Sequence, residues 1–198
     1  MESNSTVNEY RKFLIFGVIG PIASLALIFA DIGLSPWYSW YSNALSDLGV
    51  HPYSYLFNGG LIFEAIMNLI FVVALYRIGA AEKHVAVLLA ISGISLGLVG
   101  VFNETHHLEH LLFALIYFIL FPLSIILFAS SITSGKGYSR SLSFFCAVVG
   151  LLTILVGILQ DFNVFNTGLG LGVYEMIEAV LLSLWVVYTS LYYLGSRS

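Results

Sequence analysis

The chain has 198 residues, of which 59% are hydrophobic and 9% charged, with a formal net charge of -4 and a mean hydropathy of +0.96. Soluble domains carry roughly a quarter of their residues charged, so this composition excludes a water-exposed globular surface and points to an integral membrane protein. Basic and aromatic residues are not interleaved as a nucleic-acid surface requires, and the lone Cys146 lies in an apolar run, where it reads as a small buried hydrophobe.

Residues 1–12 are polar and form a cytoplasmic N-terminal segment. The apolar run that follows is too long for a signal-peptide core and is read as a retained span. Spanning-length runs are expected near 13–34, 55–78, 84–102, 109–132, 141–160 and 172–194, within one membrane domain over 13–194 and a cytoplasmic tail at 195–198. The runs are continuously apolar, whereas barrel strands alternate, so the expected fold is all-α: a bundle of six transmembrane helices.

Orientation follows from the basic residues. Arg11, Lys12, Arg77, Lys83, Lys136, Arg140 and Arg197 all fall on one side of a six-span chain, which the positive-inside rule makes cytoplasmic and which puts both termini there. Asp31, Asp47, Glu64, Glu104, Glu109, Asp161, Glu175 and Glu178 fall toward the other side, with His51, His106, His107 and His110. Glu2, Glu9 and Glu82 remain cytoplasmic.

The first outer connection, residues 35–54, is rich in Trp and Tyr. Such a segment lies along the headgroup level and covers the mouth of the bundle, with a short helix broken at Gly49 and before Pro52. The last outer connection, 161–171, is rich in Asn and Gly and is expected to dip back into protein-lined space, where irregular backbone at membrane depth is tolerated. In the third span Gly93, Gly97 and Gly100 permit close helix contact and offer a face for a homo-oligomer.

Two ionisable groups define the candidate sites. Glu64 sits about ten residues into the second span with Asn68 one turn further on the same face, and Glu175 and Glu178 share a face of the sixth. A charge at the bilayer centre costs about 3 kcal/mol on insertion scales, so these four side chains are expected around a polar chamber. The second group is Phe102-Asn-Glu-Thr-His-His-Leu-Glu-His110. His106 and His110 are four apart, a spacing that suits a divalent metal such as zinc, with His51, Asp47 or Glu104 as a further ligand, although the zincin glutamate is missing; histidines that cap helix ends or titrate against neighbouring acids are the competing reading. Ser46, Asp47, His51 and Glu64 are the candidates for hydrolytic chemistry, with local capping as the competing reading of Ser46 and Asp47.

The segments Asn43-Ala-Leu-Ser-Asp-Leu-Gly49, Leu56-Phe-Asn-Gly-Gly-Leu61 and Gly100-Val-Phe102 with His110 resemble the family labelled domain of unknown function 998. That resemblance covers nearly all the spans and singles out Asn43, Ser46, Asp47, Gly49, Asn58, Gly60, Gly100, Phe102 and His110, and it implies architecture, not activity. A looser similarity to alkaline ceramidase-type membrane hydrolases, which usually have seven spans, is an analogy only.

Three functions remain open at this point. The first is a membrane scaffold or lipid-binding subunit with an outward-facing polar chamber and membrane lipids as partners. The second is a metal-dependent hydrolase acting on a lipid at the outer leaflet, and the third a proton- or cation-coupled carrier. Beyond Asn68 and Glu178 the second and sixth spans offer mostly Leu, Val, Phe and Ile, which leaves no evident inner gate and favours the first.

Overall fold

The computed structural model describes residues 4–132 and 137–196; Glu2, Lys136 and Arg197 lie outside the described residues. All regular structure among them is helical: α1 Asn4–Lys12, α2 Phe16–Leu34, α3 Ser54–Arg77, α4 Lys83–Val101, α5 His107–Ser131, α6 Arg140–Asp161 and α7 Leu171–Gly195. A 3-10 turn, Phe13–Ile15, joins α1 to α2 without a break in the chain direction. Among the described residues six helices are long and apolar enough to cross a membrane. The shortest of them, α2 and α4, have 19 residues each and span roughly 28 Å at 1.5 Å per residue, close to the hydrocarbon thickness.

These helices form because long apolar runs can satisfy their backbone polar groups in lipid only by internal hydrogen bonding. Large apolar side chains remain exposed around the bundle, among them Ile22, Phe29, Val73, Leu112, Leu152 and Leu191. In water such a surface would aggregate; in a bilayer it is the lipid contact. The helices end where the sequence supplies termination signals. Gly79 takes φ +73° after α3, and the Ala80 N–H returns to the Leu75 carbonyl, while the Ser139 hydroxyl accepts the Leu142 N–H at the start of α6.

Each span packs on the next, and α7 closes back on α2. The result is a ring of antiparallel helices around a central space. Arg11 donates to the Ser196 carbonyl, so both ends of the described chain meet at one end of the bundle. Arg11, Arg77 and Lys83 line a cleft there, and we call this the basic end. Asp47, Glu104, Asp161 and Glu175 gather at the opposite, acidic end.

Two expectations are corrected. The third-span glycines are used inside the monomer: a Cβ at Gly100 would lie 2.6 Å from the Asn58 carbonyl oxygen, one at Gly97 would meet Ala65 at 3.0 Å, and Gly93 faces Leu69. They let α4 approach α3 of the same chain, so these three glycines face α3 and not a second copy. The last acidic-end connection does not dip inward. Residues 161–168 are exposed, and only Gly170 tucks under the first connection, its N–H donating to the Trp40 carbonyl at 2.8 Å.

The basic half of the bundle is sealed by aromatic packing. Trp185 is fully buried and meets Phe71, Phe121 and Phe128 edge-on, with centroids 6.3, 6.0 and 5.4 Å away. Its indole N–H faces the Tyr138 and Ser143 hydroxyls, each at 3.1 Å. Tyr138 also bonds Ser143 at 2.9 Å and Thr189 at 3.0 Å, so the polar atoms in this plug are mutually satisfied.

Candidate functional site

The first connection builds the roof of the acidic end. Asn43 accepts the Ser39 N–H at 3.0 Å through its Oδ1 and donates to Asp47 Oδ2 at 2.8 Å, and the same Asp47 oxygen accepts the Ala44 N–H at 3.1 Å. These are the local bonds that Asn and Asp favour in turns. The 3-10 helix Ser46–Val50 follows, and Asn58 of α3 donates to the Gly49 carbonyl at 2.9 Å. From the other side, Glu175 Oε2 accepts the Leu45 N–H at 2.5 Å, and the Gly172 N–H donates to the Asn43 carbonyl at 2.9 Å. The roof is thus bonded to α3 and to the start of α7.

Beneath it lies a short polar array. Ser46 donates to Glu104 Oε1 at 2.7 Å, and His110 Nε2 lies 3.2 Å from that same oxygen. His110 Nδ1 lies 2.8 Å from the Phe102 carbonyl oxygen. A carbonyl only accepts, so Nδ1 carries a hydrogen, and Nε2 is the ring atom that faces the Glu104 carboxyl. In this order the carboxyl group stands between serine and histidine.

The sequence candidates scatter differently from a triad or a metal centre. Asp47 is committed to the turn. His51 is exposed and stacks on Trp37, with centroids 3.7 Å apart. His106 is exposed, in the turn Glu104–His106 that precedes α5, so the helical i, i+4 relation to His110 is not formed; its Nδ1 instead contacts the Thr105 hydroxyl at 3.1 Å. Among the described residues no group of three or more His, Cys, Asp or Glu is arranged to hold a metal ion. The residues present do not fit the zinc set His106, His110, Asp47 and His51.

Two adjacent spaces lie against the array. The first is a groove of about 250 Å3 between α5, α6 and α7, with Ser46, Asp47, Glu104, His110 and Glu175 at its polar end and Leu115, Phe118, Ile154 and Ile158 along its walls. The second is an interior cavity of about 60 Å3. Both are lined by Ser46, His110, Ala114, Phe118 and Glu175, so the cavity lies directly against the groove. Its walls are Leu25, Ile28, Leu61, Leu96 and Val99, and its deep end reaches Glu64, Tyr117 and Ser183.

The intramembrane acids therefore divide. Glu175 is held by the roof, whereas Glu64 faces the cavity. Ser24 and Asn68 stand beside the Glu64 carboxyl, but the Ser24 hydroxyl and both polar atoms of Asn68 have no hydrogen-bond partner among the described residues. Glu178 is fully buried, with both oxygens likewise unpartnered. Sequence reasoning missed Ser24 and Tyr117. Their only signal was depth: with Glu64, each lies about ten residues, or roughly 15 Å, from the acidic end of its helix. Outside the spans, burial and then the nearby Glu175 and Asp47 push the Tyr38 hydroxyl well above its ordinary value.

Every motif residue of the resemblance converges on this end. Gly49 meets Asn58, Gly100 makes room for the Asn58 backbone, Phe102 holds His110, and Ser46 reaches His110 through Glu104. No curated protein and no solved structure matches the chain. Residues 18–192 match the model of a family described as a protein of unknown function, DUF998, and a match over that much of the sequence makes this chain a member of the DUF998 family.

Proposed function

We propose that this protein is a lipid-binding membrane subunit whose polar chamber opens outward and takes an amphiphile from the outer leaflet. The basic end is cytoplasmic in this reading, by the positive-inside rule, and the acidic end faces out. One observation carries the proposal: the groove between α5, α6 and α7 is polar where it meets the interface and apolar where it meets the acyl region. A lipid-like molecule has that same division along its length.

The volumes decide how a ligand sits. A groove of about 250 Å3 accommodates a headgroup, whereas the 60 Å3 cavity behind it admits only a slim chain or a few water molecules. The groove's charge also selects. Its lining includes Asp47, Glu104, Asp161 and Glu175 with His107 and His110, and neither Lys nor Arg, which favours neutral or cationic headgroups over anionic ones. The aromatic plug around Trp185 closes the basic half, which supports binding from one side over passage through the bundle.

A photoreactive phosphatidylcholine analogue in reconstituted vesicles tests the proposal. Ala114 lines both spaces, so Ala114→Trp blocks their junction, and labelling of α5 and α6 should fall about tenfold, the equivalent of losing one good apolar contact set. Labelling spread evenly over the lipid-facing surface, and unchanged by Ala114→Trp, would defeat the reading.

A further inference from the structure

We propose that the deep end of the interior cavity is a binding site for a slim aliphatic primary ammonium, with Glu64 as its counter-charge. The proposal rests on the chamber reading and names the ligand group that chamber admits. Four observations lead to it.

The cavity is a built, narrow space whose walls are apolar along Leu25, Leu61, Leu96 and Val99 and polar at its inner tip. Its 60 Å3 excludes a bulky headgroup. The tip carries an acid with no basic partner: His110 is the one cationic-capable group in the lining, and it sits at the mouth, engaged with Glu104 and the Phe102 carbonyl. Arg11, Arg77 and Lys83 line the cleft at the opposite end. Finally, the groups around Glu64 are left incomplete. Ser24 is fully buried and Asn68 is 2% exposed; both stand beside the Glu64 carboxyl, and their polar side-chain atoms have no partner among the described residues.

Buried polar atoms of this kind are rarely left unpaired in a finished structure, and each idle one is costly. The idle atoms include an acceptor in each group, the Asn68 oxygen, the Ser24 hydroxyl oxygen and both oxygens of Glu178, beside the Asn68 amide nitrogen and Ser24 hydroxyl as donors. The only Asp, Glu, Lys or Arg side chains lining the cavity among the described residues are Glu64, at the deep end, and Glu175, at the mouth, so its fixed charges are acids. A primary ammonium supplies three N–H donors and one positive charge on a compact head. A quaternary ammonium has the charge without the donors, and an alcohol has a donor without the charge. Only the primary ammonium answers both deficits.

Isothermal titration of the full chain in lipid nanodiscs decides the matter, with hexylammonium as probe and hexanol and hexyltrimethylammonium as controls. Hexylammonium should bind the parent, and Glu64→Gln, which keeps the shape and removes the charge, should weaken it about tenfold to a hundredfold, the range of one charge-assisted hydrogen bond. Both controls should bind the parent no better than the variant. Octadecylammonium supplied in the bilayer competes if the amine arrives as a lipid; failure to compete, with hexylammonium still binding, assigns a water-borne amine. Hexanol binding as well as hexylammonium, no amine binding to the parent, or an unaffected Glu64→Gln would overturn the proposal. The hexylammonium-to-hexanol comparison needs no variant, so a folding failure of Glu64→Gln leaves the test intact. Groove labelling by the photoreactive lipid, if retained in Glu64→Gln, separates loss of this site from loss of the chamber itself.

Discussion

Two buried polar clusters in the bundle are completed in opposite ways. In the basic half, Trp185, Tyr138, Ser143 and Thr189 bond one another inside a shell of Phe71, Phe121 and Phe128. In the acidic half and the bundle centre, Ser24, Asn68 and Glu178 are equally buried and have idle polar atoms among the described residues. Burial depth does not separate these two clusters; completeness of hydrogen bonding does, and the idle Ser190 hydroxyl toward the basic end makes this a division between clusters, not between whole halves. A satisfied network rigidifies and specifies a packing, while an incomplete one stores a cost that a ligand can remove. The same helices therefore carry a structural cluster and a receptive cluster.

Breaking the structural cluster should have the largest effect. Trp185→Ala removes the largest fully buried side chain and leaves the Tyr138 and Ser143 hydroxyls without the indole donor. A loss of about 3–5 kcal/mol is expected, read as a lower midpoint of unfolding in detergent. A small loss would mean that the aromatic shell collapses into the gap, and the contrast between clusters would weaken. Next in size is the seam between roof and bundle. A Cβ at Gly170 would lie 2.6 Å from the Asn43 carbonyl oxygen and 2.8 Å from its nitrogen, both backbone atoms with no freedom to rotate away. Gly170→Ala should cost about 1–3 kcal/mol, and hydrogen exchange should rise in residues 35–53 more than in the spans. Uniform loosening would show that roof and bundle form one cooperative unit.

The contrast also explains which parts were legible in the sequence. Six helices and the segregation of charge follow from composition and run length, because lipid leaves the backbone few alternatives. The 35–54 roof was legible from its Trp and Tyr content, and the turn signals at Asn43 and Asp47 were local. What could not be read was partnership across distant segments. Ser46 finds Glu104, 58 positions away, and not the nearby His51, because the roof folds over the start of α5. His106 loses its helical relation to His110 because the turn Glu104–His106 intervenes, a matter of one residue in the helix start. The glycines of α4 have the same spacing whether they face a second copy or α3; only the fold chose between them. Ser24 and Tyr117 carried no periodic mark among apolar neighbours, and became visible only when three helices placed them at one depth.

Tyr38 offers the finest cut at the comparison, since it lies at the receptive end yet touches no proposed ligand. Its hydroxyl is buried and has no hydrogen-bond partner among the described residues, so Tyr38→Phe should change stability at neutral pH by less than about 0.5 kcal/mol. Alkaline pH should expose a difference. Burial first, and the Glu175 and Asp47 charges next, push this hydroxyl well above its ordinary value, so folding favours the neutral phenol. A group raised in this way leaves stability untouched below its unfolded value, near pH 10, and stability is lost as pH climbs from there toward the folded value. The parent's unfolding midpoint should therefore fall more steeply above about pH 10 than that of Tyr38→Phe, with the other tyrosines common to both chains. Superimposable alkaline limbs would mean that Tyr38 reaches water through the roof, and that the acidic end is open where the structure closes it.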